Sequence, residues 1–412
     1  MKRRLPTVLH VATINKPIVA GLGYGPVEAV IRSIDQGVHS LGHRSIVACS
    51  GDSRVAGEQF TTVHRSLGDY WRGDTADRRN IIDTHLSRAL ERAERGDIAV
   101  IQMHEWLDYI FNGVFHPHAP IVMTLHVHAK DSGIKEFYQD GRSAMPIPRI
   151  HFVAISEFQR RQYHGLANIY KTIHHGIEVK EYPSKEKPDK GSYLFSIGRI
   201  TRAKGQDKAI ALAKTTGSKL IIAGCVQNKP ADREFFESLK SSIDLFVDVG
   251  KHPVDEDYYR KVIKPLVDCD KRIIYIGELD NEQKKLWYRH ARTTLFPIQW
   301  GEPFGLVLIE SMACGTPVLA FNEGAVPEIL ADGKTGFVVD SLGSMVEALG
   351  LVDDVDPREC RKHVRENFSV ARMAHEYSEL YQQIAVDFDC KTATPRPRPP
   401  LWRSVIPGVL AA

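Results

Sequence analysis

Twice along its 412 residues this chain runs a short apolar stretch into a glycine turn and then into a helical pattern. The first instance is Val8–Ile14, then Val19–Gly25 (V-A-G-L-G-Y-G), then the helical spacing of Val27–Leu41. The second is Tyr193–Gly198, then Arg199, Ile200 and Ala203-Lys204-Gly205-Gln206. A strand, a tight turn and a helix start bring backbone N–H groups and the positive end of a helix up to an anion. Glycine turns also serve plain reversals of the chain, so the turn alone does not separate a phosphate site from a structural corner. It does constrain the fold, because buried strands alternating with helices build parallel sheets whose ligands sit past the carboxyl ends of the strands.

A single hydrophobic core stops growing at roughly 250 to 300 residues, so two domains are expected, each α/β. The spacing predicts strands over His43–Cys49, Ile98–Met103, Ile121–Leu125 and Val153–Ile155, and a long helix over Arg78–Arg95. Leu220–Gly224, Arg272–Gly277 and Thr294–Pro297 are the corresponding strands of the second half. Ser156 is placed to cap a helix whose basic face carries Arg160, Arg161 and Lys171. The first domain is expected at 1–179 and the second at 192–371, joined by an exposed Pro-, Lys- and Glu-rich hinge over 180–191. A helix over about 372–388 is expected to cross back onto the first domain. The Pro/Arg-rich tail over 389–412 is expected to be disordered.

The motif that carries chemistry is Phe296–Pro317, F-P-I-Q-W-G-E-P-F-G-L-V-L-I-E-S-M-A-C-G-T-P. Pro297, Gly301, Pro303 and Gly305 force its first half into a loop, and Gly315 with Pro317 stops the helix that starts near Leu306. Glu302 therefore precedes a helix N-terminus and Glu310 lies within the helix. Alone, two glutamates eight apart also fit an exposed residue plus a helix-face residue. Their neighbours, P-F-G-L and A-C-G-T-P-V, closely resemble the Glu-x7-Glu signature of family 4 retaining glycosyltransferases. G-R-x4-K-G at Gly198–Gly205, V-M-T-L-H ending in His126, and I-H-H-G-I-E at Ile173–Glu178 resemble further segments of that family.

The resemblance spans about Val8–Tyr381 and implies the GT-B fold, two Rossmann-like domains facing each other across a deep cleft. It implies transfer of a hexose from a nucleotide-diphosphate sugar, UDP-hexose before GDP-mannose, to an acceptor hydroxyl with retained configuration. By this resemblance Arg199 and Lys204 hold the donor diphosphate, Glu302 the sugar hydroxyls, Glu310 the ribose and the Gly23 backbone the β-phosphate. His126 lies beside the donor sugar, Leu279 with Glu278 beside the base, and Phe304, Gly305 and Leu306 complete the donor site. Arg199, Lys204, Glu302 and His126 form the catalytic set. Two other functions stay open on the same scaffold, a nucleotide-sugar epimerase and a non-catalytic nucleotide-sugar binder.

Composition excludes several classes. Fifty-four basic against 51 acidic residues leave a net charge of +3, too near balance to argue for nucleic acid. Six scattered cysteines form no disulfide or zinc pattern, which favours a reducing, cytoplasmic setting. No apolar run approaches the roughly 18 residues of a membrane span, and the N-terminal M-K-R-R-L-P-T-V-L-H-V-A reads as a first strand rather than a leader. Peripheral membrane contact through the basic face stays open. Asp268-Cys269-Asp270, Asp354-Val355-Asp356 and Asp387-Phe388-Asp389 sit in charged helical or tail segments, so neither a metal nor another cofactor is expected. The acceptor, be it a small molecule, a glycan or a lipid-linked sugar, would meet the variable loops Asp52–Asp77 and His128–Pro148.

Overall fold

The computed structural model describes residues 5–68, 76–104, 119–132, 150–189 and 192–391. Each glycine turn leaves a strand buried inside its own seven-stranded parallel sheet. In the first sheet β1 (Val8–Val11) lies between β2 (Ser45–Ser50) and β4 (Val100–Met103), and β3 (Glu58–Val63), β5 (Ile121–Thr124), β6 (Ile150–Ala154) and β7 (Ile169–Thr172) complete the order β3-β2-β1-β4-β5-β6-β7. In the second, β8 (Leu194–Ile197) lies between β9 (Leu220–Ala223) and β12 (Thr293–Phe296). Adding β10 (Leu245–Phe246), β11 (Ile273–Tyr275), β13 (Val318–Phe321) and β14 (Gly336–Val339) gives β10-β11-β9-β8-β12-β13-β14. Strand order reverses at β1/β4 and at β8/β12. These are the two switch points at which an open α/β sheet opens a crevice beyond its carboxyl ends.

The helices are α1 (Pro26–Ser40), α2 (Ala76–Ala93), α3 (Glu157–Gln162), α4 (Gln206–Thr216), α5 (Pro230–Lys240), α6 (Lys264–Asp268), α7 (Asn281–His290), α8 (Leu306–Ala313), α9 (Val326–Ile329), α10 (Leu342–Leu349), α11 (Pro357–Asn367) and α12 (Val370–Lys391). Pro26 opens α1 with a φ already suited to a helix, and Val30, Ile31, Ile34 and Val38 bury its inner face. The last helix, α12, crosses back and lies against α1 so closely that a Cβ on Gly37 would stand 2.5 Å from the Ala374 Cβ. Its aromatic hydroxyls reach into the first sheet. Tyr377 bonds Thr124 Oγ1 at 2.8 Å, and Tyr381 donates to Gln102 Oε1 at 2.9 Å.

Three expectations need correction. The polar stretch after β2 contains β3, an edge strand whose E-Q-F-T-T-V pattern is half exposed and so lacks the apolar run of a central strand. The helix capped by Ser156 ends at Gln162, which puts Lys171 on β7 and breaks up the proposed basic face. The linker is the exposed segment expected only in part: Lys180, Glu181 and Glu186 are exposed, but Tyr182 is buried with its carbonyl accepting from Arg361, and Lys185 N–H donates to Cys314 O at 3.1 Å. Helical backbone also continues through Lys391, past the boundary expected at 388, and the rest of the tail lies outside the described residues.

Candidate active site between the two sheets

The carboxyl ends of the two sheets meet at several points. Tyr24 N–H, in the first glycine turn, donates to Glu278 Oε1 past β11 at 3.1 Å, and Asn281 donates to Ala20 O at 3.2 Å. Ser156 Oγ donates to Pro303 O at 2.6 Å while also capping α3. Glu328, on α9, accepts from the backbone N–H of Glu157 at 2.8 Å and of Phe158 at 3.1 Å, and also contacts His174. A carboxylate of one domain thus caps the first turn of a helix in the other, where N–H groups lack partners of their own. Burial works to raise the Glu328 carboxyl, but the hydrogen bonds from His174 and the two backbone N–H groups together outweigh it and hold the group below the usual carboxylate range.

On the second-domain wall, Lys204 and Glu302 are brought together although 98 residues separate them, with Nζ 2.5 Å from Oε2. Two backbone contacts explain the pairing. A Cβ on Gly205, at φ +72°, would stand 2.0 Å from Pro297 O, and Gln299 N–H donates to Ala203 O at 2.8 Å. The turn bearing Lys204 is therefore stitched to the loop bearing Glu302. That loop is fixed on its other side by Ala325 N–H donating to Glu302 O at 2.9 Å, beside Gly324, where a Cβ would meet the Glu302 backbone at 2.4 Å. Lys204 also lies 5.6 Å from the centroids of both Phe296 and Trp300, which shield the ammonium from water. Both charged side chains keep less than a fifth of their exposure.

Arg199, leaving β8, holds Gln227 Oε1 at 3.2 Å and faces the Tyr24 ring across the cleft at 5.9 Å. Its Nε is buried without a hydrogen-bond partner, a donor left over for something else. Lys16 contacts the Tyr24 carbonyl, so Lys16, Arg199 and Lys204 all border the cleft. Burial pushes the Tyr24 phenol up, opposed by the Arg199 charge.

The remaining expected residues fall into two groups. Gly305, at φ +90°, opens α8, and Leu306 is its first residue, so their backbones stand at the helix N-terminus beside Glu302. The Phe304 side chain is 2% exposed and packs against His175 and Phe368, which leaves only its backbone for a ligand. Gly23 stands beside Glu278, 3.1 Å from Oε1 at its Cβ position, and Leu279 is buried in the second-domain core. Glu310 is 7% exposed, with Oε1 2.6 Å from Lys284 Nζ and Oε2 accepting from Tyr288 OH at 3.1 Å. Burial and the nearby Glu310 charge push the Tyr288 phenol well up.

His126 lies past β5 in contact with two other imidazoles, and burial lowers it to about 4. Sequence reasoning missed Tyr24, Lys16, Lys284 and Glu328. Tyr24 lies inside a turn already singled out and Lys16 just before it, so both were within reach; Lys284 becomes visible only once α7 is known to pack beside α8. Of the loops expected to meet the acceptor, residues 69–75 and 133–148 lie outside the described residues. Among the described residues, no group of three or more His, Cys, Asp and Glu side chains is arranged to hold a metal ion. Among the same residues, no helix is long and apolar enough to cross a membrane.

Residues 179–351 match the family model described as glycosyl transferases group 1. A D-inositol 3-phosphate glycosyltransferase from Corynebacterium efficiens is 36% identical over 155 residues, covering 36% of this chain and 35% of that one. A phosphatidyl-myo-inositol mannosyltransferase from Mycobacterium leprae is 27% identical over 270 residues, covering 62% and 64%. This chain thus spans about a third of the first of these relatives and just under two thirds of the second. Among solved structures, a sucrose-phosphate synthase from Thermosynechococcus elongatus superposes with a TM-score of 0.65 at 16% identity, covering 93% of this chain and all of that one. AviGT4, a glycosyltransferase involved in avilamycin A biosynthesis, gives 0.64 at 17% identity over 93% and 98%. Two parallel-sheet α/β domains and these neighbours make the fold GT-B.

Proposed function

We propose that the chain is a group 1 glycosyltransferase that moves a hexose from a nucleotide-diphosphate sugar to an acceptor hydroxyl with its anomeric configuration retained. The observation that carries the reading is the Lys204–Glu302 pair beside Arg199, held at the switch point of the second sheet and facing the glycine turn of the first. Lys204 and Arg199 supply the charge a departing diphosphate needs, Arg as a planar fork and Lys as a point charge. Glu302, fixed at both backbone ends and standing before the N-terminus of α8, accepts hydrogen bonds from sugar hydroxyls and orients the ring. His126 lies beside the same sugar, Glu310 beside the ribose, and the Gly23, Phe304, Gly305 and Leu306 backbones border the phosphates.

In the step this implies, the bond from the anomeric carbon to the diphosphate breaks and the bond to the acceptor oxygen forms on the same face. The acceptor proton passes to the leaving diphosphate. Transition-state charge is met by Arg199, Lys204 and helix N-terminal N–H groups, so no divalent metal is required. UDP-hexose is the preferred donor, in keeping with the Anabaena structure determined with UDP-glucose, which superposes with a TM-score of 0.62 at 13% identity over 92% of this chain. Two relatives are named for inositol-bearing molecules, so an acceptor screen starts with inositol phosphates and phosphatidylinositol.

The experiment is nucleotide release from UDP-glucose or GDP-mannose in EDTA, with and without acceptors, followed by proton NMR of the first product. Acceptor-dependent release with an α linkage is expected. Interconversion of free nucleotide sugars without acceptor would mark an epimerase, and a β linkage or loss of activity on chelation would refute the retaining, metal-free route.

A further inference from the structure

Four imidazoles form a column from the first sheet to the second domain. His10, on β1, stacks on His104, just past β4, with centroids 6.4 Å apart and planes 15° apart. His104 stacks on His126 at 5.4 Å and 27°, and His126 on His175 at 5.5 Å and 20°. His175 meets the Phe304 ring edge-on at 4.9 Å. His10, His104 and His175 are at most 3% exposed, whereas His126, past the carboxyl end of β5, is half-buried. One hydrogen bond joins members of the column, His104 Nδ1 to His126 Nε2 at 3.1 Å.

Burial holds all four rings neutral at neutral pH, so each carries one proton and the His104–His126 contact contains one proton between two nitrogens. Two arrangements satisfy it. If His126 donates from Nε2, His104 must accept at Nδ1 and keep its own proton on Nε2, which is buried with no partner. If His104 donates from Nδ1, its Nε2 is an unprotonated acceptor instead. An orphaned buried N–H is the rarer of the two faults, which selects the second arrangement.

We propose that His104 is a positioning residue: by donating Nδ1–H to His126 Nε2 it fixes His126 as the Nδ1–H tautomer, so the partly exposed ring offers the cleft a donor. This rests on the reading of His126 as a donor-sugar contact. An Nδ1–H can donate to a sugar hydroxyl oxygen and so hold the ring in place, whereas the reverse tautomer offers only a lone pair. His10 backs the stack from the far side of His104.

The test is two-bond ¹H–¹⁵N correlation NMR on the full chain labelled with ¹⁵N-histidine, at neutral pH, with the His126 signals assigned from His126→Gln. His126 is expected as the Nδ1–H form in the wild type. It should shift to a mixture or to the Nε2–H form in His104→Leu, and return in His104→Asn, whose amide N–H falls near the Nδ1 position. A wild-type His126 in the Nε2–H form overturns the proposal without any variant, and so does an unaltered tautomer in a folded His104→Leu. In the transfer assay His104→Leu should lose about tenfold in kcat/KM and His104→Asn recover most of it. A protein that binds no nucleotide sugar yet shows the expected tautomer would sink the reading of the site and leave the tautomer assignment standing.

Discussion

Lys204 and Glu302 hold each other at 2.5 Å in a place where neither is well hydrated, so each depends on the other in any state of the cleft. Lys204→Ala should lower kcat/KM for transfer by about 2 to 4 kcal/mol in transition-state terms, the usual worth of one preorganised contact to developing charge. Arg199→Ala should lose a similar amount. Unlike Lys204→Ala, it should barely change the unfolding midpoint, since Arg199 leans on the neutral Gln227 amide and the Tyr24 ring rather than on a carboxylate that its loss would strand. Steady-state kinetics paired with urea unfolding checks both, and unchanged kinetics in the two variants would remove the phosphate assignment. Glu310→Gln should raise the donor KM more than it lowers kcat, because a ribose contact changes little between ground and transition states. At this scale the sequence was informative where a residue sits inside a contiguous motif: Arg199, Lys204, Glu302 and Glu310 could all be named from their neighbours. It was silent on contacts that join distant positions: His126 and the I-H-H-G-I-E segment that holds His175 stand out by resemblance, but nothing in their spacing shows that they stack with His10 and His104 in one column.

The α1–α12 contact shows how an element's placement can rest on one missing methyl group. Alanine in place of Gly37 would favour the helix by about 1 kcal/mol on propensity alone. Its Cβ, however, would press on Ala374 at 2.5 Å and on Val370 at 3.1 Å, so overpacking should win and destabilise the protein by about 1 to 3 kcal/mol. Urea denaturation of Gly37→Ala reads the sign directly, and a stabilised variant would show that α12 moves aside freely. Central strands such as β1, β4 and β12 were legible because burial on both faces demands continuous apolar runs. The edge strands β3, β7 and β10 were not, because one exposed flank lets polar residues in and erases that signature. The linker misled for a related reason. Its Pro, Lys and Glu content reads as exposed throughout, yet Tyr182 is buried and its carbonyl is taken up by Arg361, which sequence spacing cannot reveal.

Across the whole molecule, burial leaves several histidines neutral in the fold, and this sets a pH dependence. His10, His85, His126 and His290 are each lowered from the ordinary 6.5 to about 4, with desolvation the largest cause. Between those values the unfolded chain binds protons that the native one refuses, so stability rises with pH through this window. The contribution is fully present above about 6.5 and is lost as pH falls towards about 4. Unfolding midpoints measured across that range should fall on acidification, and a flat profile would contradict the buried, neutral assignment. The two domains are also tied by Glu328, so Glu328→Ala, which strips the α3 N-terminus and His174 of their acceptor, should enlarge the radius of gyration in small-angle scattering. The central claim is that the cleft between the two sheets receives a nucleotide-diphosphate sugar on Arg199, Lys204 and Glu302. Calorimetric titration of UDP-glucose and GDP-mannose into the wild type and into Arg199→Ala/Lys204→Ala tests it most directly. The account predicts saturable one-to-one binding of at least one donor, weakened at least about tenfold in the folded double variant; equal affinity in the two proteins, or no binding of any nucleotide sugar to the wild type, would contradict it.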